Sequence, residues 1–202
     1  MTQKTCKEMV TEFHKLNGAV IDRPDAGPEV AVLRVRLILE EFAETYAALH
    51  ENNVVEVADG LTDLLYVVYG AAVSYGVSCQ DQFTEPLGQP ATVFDREEVL
   101  RFCRMTLSRV RRACTAVDCS PADRAGALSD LAAEICTVGA RMWGFPMRAL
   151  FEEVHRSNMT KTFAPNHSGG KYGAVKPKGP GYQPPDIAGV LTRRAANVTQ
   201  KP

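Results

Sequence analysis

Six carboxylates in two short runs are the residues of this sequence best suited to chemistry: Glu40, Glu41 and Glu44, then Glu56, Asp59 and Asp63. They recur at steps of three and four, the spacing that stacks side chains on one face of an α-helix. Leu33 and Leu37 run into Glu40 and Glu44 along one apolar stripe, with Glu41 at its flank. Glu56, Asp59 and Asp63 fall within roughly 60° of arc at about 100° per residue, and Tyr66, Val67, Gly70 and Val73 continue their face. Both runs should therefore point into an interior that the two helices share. Carboxylates held together away from bulk water repel one another, and a buried unpaired charge is among the costliest things a core can hold. A cation between them is the expected remedy. With no His or Cys in the set, an all-oxygen shell suits Mg²⁺, with Mn²⁺ as a substitute, and Mg²⁺ commonly completes its shell with water and substrate phosphates. The expectation is Mg²⁺ chemistry on a phosphorylated substrate.

Positioning these acids requires two helices, at 30–50 and 55–75, joined by a polar turn at Asn52 and Asn53. Tyr75-Gly76 closes the second, with glycine suited to the left-handed cap position.

The pattern Glu40-Glu41-x-x-Glu44, followed by Glu56-x-x-Asp59 and Asp63-Leu-Leu-Tyr66, resembles the MazG-type all-α nucleotide pyrophosphohydrolases. That superfamily also holds the dimeric dUTPases and the phosphoribosyl-ATP pyrophosphohydrolases. A later run from Phe151 to Lys161, Phe-Glu-Glu-Val-His-Arg-Ser-Asn-Met-Thr-Lys, with Pro184-Pro185-Asp186, is similar to the phosphoribosyl-ATP pyrophosphohydrolase-like branch. The two matches cover residues 30–78 and 147–190. The resemblance implies an all-α, four-helix-bundle core, a homodimer, and Mg²⁺-dependent hydrolysis of a nucleoside triphosphate to monophosphate and pyrophosphate, as in housecleaning of the nucleotide pool. The principal metal ligands it suggests are Glu41, Glu44, Glu56 and Asp59. Glu40 would be a base or further ligand, Glu41 would share the catalytic role, and Asp63 would be a ligand or an orienter of one. The chain departs from other branches at Gly60, where they carry an acid. His155, Arg156, Asn158 and Lys161 would contact phosphate or sugar. Two readings stay open beside this one: a phosphoribosyl-ATP hydrolase of histidine biosynthesis, and a helical nucleotide-binding protein without turnover.

The chain has 202 residues, enough for one well-buried domain. Its formal net charge of -1 and pI of about 6.4 imply no global attraction to nucleic acid or an anionic membrane. The first ten residues lack a hydrophobic signal core, and no apolar run approaches spanning length, so a cytoplasmic protein is expected. Six cysteines, at positions 6, 79, 103, 114, 119 and 136, show neither Cys-x-x-Cys pairing nor zinc-ligand spacing and read as free, buried thiols.

In chain order, Lys4 to Leu16 reads as an amphipathic helix and Asn17 to Pro28 as a loop, whose Asp22 and Arg23 read as a solvated turn rather than base contacts. Helical signal breaks over 79–95 and returns at 96–115 and 120–143. These last two can be laid on the acidic hairpin as a degenerate second copy: Val99-Leu100-Arg101 on Val32-Leu33-Arg34, Leu128-Ser129-Asp130-Leu131 on Leu61-Thr62-Asp63-Leu64, and, after one insertion, Trp143-Gly144 on Tyr75-Gly76. In that register Leu107, Ser108 and Arg111 replace Glu40, Glu41 and Glu44, and Glu56 and Asp59 lose their counterparts. The copy would be blind to metal, and Arg109, Arg111 and Arg112 would read as an exposed basic face, with phosphate across the site as their other use. A further helix runs from Pro146 to Met159. The domain is expected to span 1–163. An arm follows at 164–202, where ten of the 23 residues from Ala164 to Asp186 are glycine or proline. Lys171, Lys176 and Tyr182 are candidates to reach the substrate from this arm, and Arg193 to Pro202 is expected to fray.

Overall fold

The computed structural model describes residues 3–161 and 179–199. Those residues form an all-α protein: α1 (Cys6–Asn17), α2 (Pro28–His50), α3 (Val54–Tyr75), α4 (Arg96–Thr115), a 3₁₀ turn (Ala116–Asp118), α5 (Pro121–Thr137), a π turn (Val138–Met142), α6 (Met147–Met159) and α7 (Ile187–Thr199). No strand occurs among them.

Local chemistry sets the boundaries. Thr5 and Glu8 form a capping box on α1, as do Asp95 and Glu98 on α4. Asn53 and Ser120 accept the backbone N–H of Glu56 and Asp123 at the starts of α3 and α5. Gly76 ends α3 at φ 65°, a conformation that costs a residue with a Cβ.

Helix α3 is the axis of the molecule, and α1, α2, α5, α6 and α7 all pack on it. Two hairpins, α2–α3 and α4–α5, join side by side through α2–α4 and α3–α5 contacts to make a four-helix unit. Phe42 stacks on Phe102 across α2 and α4 at 5.8 Å. Trp143, 1% exposed, fills the space between Phe94, Phe102 and Phe145. By length and composition α3 could cross a membrane, contrary to expectation, but 78% of its most apolar window is buried inside this fold. All six cysteines are free, and Cys119 is exposed rather than buried.

Two expectations need correction. The end of the chain is not frayed up to Thr199: α7 buries Ile187, Val190 and Leu191 against α6 and α3. Asp186 Oδ1 caps it by accepting the N–H of Gly189 at 3.0 Å. The second correction concerns register. Arg34 is buried on α2 but Arg101 is exposed on α4; the buried positions of α4 are Phe102, Thr106, Val110 and Ala113, one residue further on. Lys171, Lys176 and the stretch 162–178 around them lie outside the described residues.

Candidate active site

The site is built on the seam between α2 and α3. These helices are in close contact at Gly60, where a Cβ would stand 2.9 Å from Thr45 Oγ1 and 3.2 Å from its Cα. Further along the seam, a Cβ on Gly70 would stand 3.0 Å from Arg34 Nη1. Glu41 lies between Arg34 and Thr45 on the inward face of α2, and Asp63 lies between Gly60 and Gly70 on α3, so the antiparallel register brings them level. Position 60 faces backbone, which leaves no room for the acid that other branches place there.

Glu41 carries the electrostatic signature of the site. Burial, followed by the charges of Asp63, Glu44 and Glu40, pushes its carboxyl up from an ordinary 4.5 to about 8, and Lys161 opposes the rise. Its Oε2 is buried and has no hydrogen-bond partner among the described residues. A carboxylate in this state takes up a proton or a cation.

The other acids are less enclosed than their helical phase suggested. Glu40 is half-exposed and receives a 2.6 Å hydrogen bond from Arg36 Nε. Glu44 and Glu56 are exposed at the rim, while Asp59 and Asp63 are half-buried. A helix face spans a wide arc, so acids at its edges reach water even when the central one does not. Among the described residues no three His, Cys, Asp or Glu side chains gather into a ready-made metal cage. A bound cation would have to draw Glu44 and Glu56 inward.

The candidate substrate residues divide in the structure. Lys161, just beyond α6, comes within electrostatic reach of Glu41, and its Nζ lies 6.0 Å from the Tyr182 ring centroid. Asn158 is 5% exposed and lies close enough to Tyr66 to favour its ionised hydroxyl. His155 Nδ1 is 3.0 Å from the Tyr66 hydroxyl and its Nε2 is 3.6 Å from Glu12. Burial holds the His155 ring below its usual pKa, against the pull of Glu12. Arg156 serves the fold instead: it pairs with Glu153 and donates to Gln183 Oε1 at 3.1 Å and to the Pro184 carbonyl at 3.0 Å. Arg109 and Arg112 both engage Asp130 on α5.

Some residues that shape the site carry no clear signal in the sequence. Tyr66 stacks on Phe151 and links His155 and Asn158 to α3 one turn beyond Asp63. Glu12 reaches the site only because α1 packs on α6. The four-residue spacing of Arg36 and Glu40 was the one local signal available.

The phosphoribosyl-ATP pyrophosphohydrolase family model matches residues 10–86, from α1 through the whole α2–α3 hairpin. An uncharacterised protein of Acanthamoeba polyphaga mimivirus is 28% identical over 156 residues, covering 68% of this chain and 61% of its own length. The chain thus spans less than two thirds of that relative. No solved structure gives a significant match.

Proposed function

We propose, for a chain whose residues 10–86 belong to the MazG-like all-α nucleotide pyrophosphohydrolase superfamily, a hydrolase that cleaves a nucleoside triphosphate between its α- and β-phosphates, releasing monophosphate and pyrophosphate. The observation that carries this reading is Glu41: a carboxyl with a buried, unbonded oxygen, crowded by Asp63, Glu44 and Glu40 and balanced by Lys161. An all-oxygen donor set of this kind fits Mg²⁺, or Mn²⁺ in its place.

Glu41, Glu44, Glu56 and Asp59 are the residues that would hold the ion, with Asp63 as a further ligand or orienter. When bound, the ion would neutralise phosphate charge and help to align the attacking water. Glu40, oriented by Arg36 Nε, is the neighbour of Glu41 in sequence and would accept that water's proton. Lys161 supplies an ammonium for the leaving pyrophosphate, and Asn158, near Tyr66, offers a neutral donor. Tyr182 packs near Lys161 and limits the arc through which that ammonium can swing.

A second substrate reading, phosphoribosyl-ATP, draws support from the description of the matching family. Incubating the protein with Mg²⁺ and a panel of dNTPs, NTPs and phosphoribosyl-ATP, and measuring pyrophosphate, distinguishes the two. Release from one or more triphosphates is expected. Release from phosphoribosyl-ATP alone transfers the activity to the second reading, and silence across the panel, with nucleotide binding retained, replaces the enzyme with a binding protein.

A further inference from the structure

The second hairpin keeps the frame of the first residue for residue. Helix α2 has 23 residues, and α4 with its 3₁₀ turn has 20 and 3. Helix α3 has 22, and α5 with its π turn has 17 and 5. Buried Arg34, Ile38 and Thr45 are matched, 68 residues on, by buried Phe102, Thr106 and Ala113. On the second helix the interval is 67: Leu61, Leu64 and Leu65 meet Leu128, Leu131 and Ala132, and the cap Asn53 meets the cap Ser120. The π turn falls where one extra residue is needed to bring Trp143-Gly144 onto Tyr75-Gly76, and absorbing one inserted residue is what a π turn does. Gly76 and Gly144 then both adopt φ 65°.

In this register two of the six acids of the first hairpin meet opposite charge. Glu41 corresponds to Arg109 and Glu44 to Arg112, while Asp63 keeps an acid in Asp130; Glu56 also keeps one, in Asp123, contrary to the expectation that it loses its counterpart, and only Asp59, which meets Gly126, does so. Arg109 Nη1 lies 3.4 Å from Asp130 Oδ2, and Arg112 Nη1 bonds the same oxygen. Asp130, the counterpart of Asp63, is thus held by two guanidinium groups where Asp63 has the Glu41 carboxyl within its field.

We propose that the α4–α5 hairpin is a charge-reversed copy of the α2–α3 hairpin, in which Arg109 and Arg112 occupy the electrostatic role that a divalent cation plays beside Asp63. The first hairpin then holds a cation site, and the second carries a latent one, closed from within. This rests on the reading of the α2–α3 acids as a cation site. Returning the acids should open the second: in R109E/R112E, two glutamates would face Asp130 in the arrangement Glu41 and Glu44 have toward Asp63. The two arginines are 43% and 53% exposed and Asp130 42%, so the substitutions change a solvent-facing cluster and leave the core packing alone.

The experiment is Mn²⁺ binding to the full chain, counted by electron paramagnetic resonance, with Trp143 fluorescence as the check on folding. R109E/R112E should bind one more Mn²⁺ per chain than the unsubstituted protein, and adding D130N should remove that ion. E41Q/E44Q should lose the original binding but not the gained one when the four substitutions are combined. A folded R109E/R112E that binds no more Mn²⁺ than the parent overturns the charge-reversed site. If instead the parent binds none and R109E/R112E gains one, Arg109 and Arg112 do close a site in the second hairpin, but the cation reading of the first hairpin falls and the parallel with Asp63 falls with it. Should R109E/R112E fail to fold, R112E alone is measured, with a weaker additional site expected and no gain again overturning the idea.

Discussion

Gly60 rests directly on Thr45, so close that a Cβ at position 60 would be 2.9 Å from Thr45 Oγ1. That hydroxyl is itself tied to the Glu41 carbonyl at 2.8 Å, so the contact sets the height of Glu41 relative to Asp63. Helix propensity favours almost any residue over glycine by up to about 1 kcal/mol, whereas forcing atoms into a filled seam costs about 1–3 kcal/mol. The clash should win because the Thr45 backbone, at 3.2 Å, cannot swing aside. Gly60→Asp, which imitates the acid of other branches, is expected to lower stability in urea melts and to weaken turnover rather than add a ligand. A variant as stable as the parent with unchanged turnover contradicts this seam.

For Glu41 the folded pKa, about 8, lies above its ordinary 4.5, chiefly because burial penalises the charged form. The folded state therefore holds a proton that the unfolded chain has already lost. The resulting stability is complete below pH 4.5 and is lost as pH rises through about 8. At about 1.4 kcal/mol per unit, reduced for partial exposure, the loss is on the order of a few kcal/mol. In chelator, the parent should melt at a lower temperature at pH 8.5 than at pH 5.5, and Glu41→Gln should flatten that difference. With Mg²⁺ present the same variant should lose at least about 100-fold in turnover. Near-normal turnover in Glu41→Gln removes this residue from the site.

His14 should produce the opposite dependence. Its Nδ1 lies 3.0 Å from the Val20 carbonyl, which can only accept, so Nδ1 carries the proton and Nε2 is left to accept from Arg34 Nη2 at 3.5 Å. Burial first, and Arg34 second, hold the ring down from 6.5 to about 4. A neutral buried His14 stabilises the fold above pH 6.5, and that contribution is lost as pH falls through about 4. On the order of 2–3 kcal/mol should disappear between pH 7.5 and 4.5. Measured in a Glu41→Gln background, to silence the opposing group, the loss should shrink in Arg34→Met. An equal loss in both shows that Arg34 does not bear on His14.

Arg156 and Lys161 should separate stability from chemistry. Arg156→Ala removes the bonds to Gln183 and Pro184 and is expected to cost about 1–2 kcal/mol and to speed protease cleavage near 179–186. Lys161→Ala should leave the unfolding free energy within about 0.5 kcal/mol of the parent, since it gives up only the distant contact with the Tyr182 ring. Its effect should be a roughly tenfold or larger fall in kcat/KM. If Arg156→Ala produces the larger kinetic defect, the arginine contacts substrate after all.

The helices are legible in the sequence because each carries its own period and its own caps. Asn53, Ser120 and Gly76 act on backbone groups a few residues away, which is why the hairpin ends fall where sequence places them. Helix α7 escapes such a reading because its apolar stripe is only Ile187, Val190 and Leu191, and its stability comes from α6 and α3, distant in sequence. On α4 the identities at Val99-Leu100-Arg101 point one residue away from the register that burial sets, because three matching side chains weigh less than a whole buried face.

By itself the sequence determined that Glu40, Glu41 and Glu44 and Glu56, Asp59 and Asp63 lie on neighbouring helical faces, because helical phase is a local property. Only the tertiary structure decided that Glu41 loses its water while Glu44 and Glu56 keep theirs, that Lys161 approaches Glu41, and that Arg156 is spent on Gln183 and Pro184. Phase fixes the direction of a side chain about its own helix axis. Solvation and ion pairing depend on what packs against that direction, and here it comes from α1, α6 and the residues beyond α6, which no local spacing encodes.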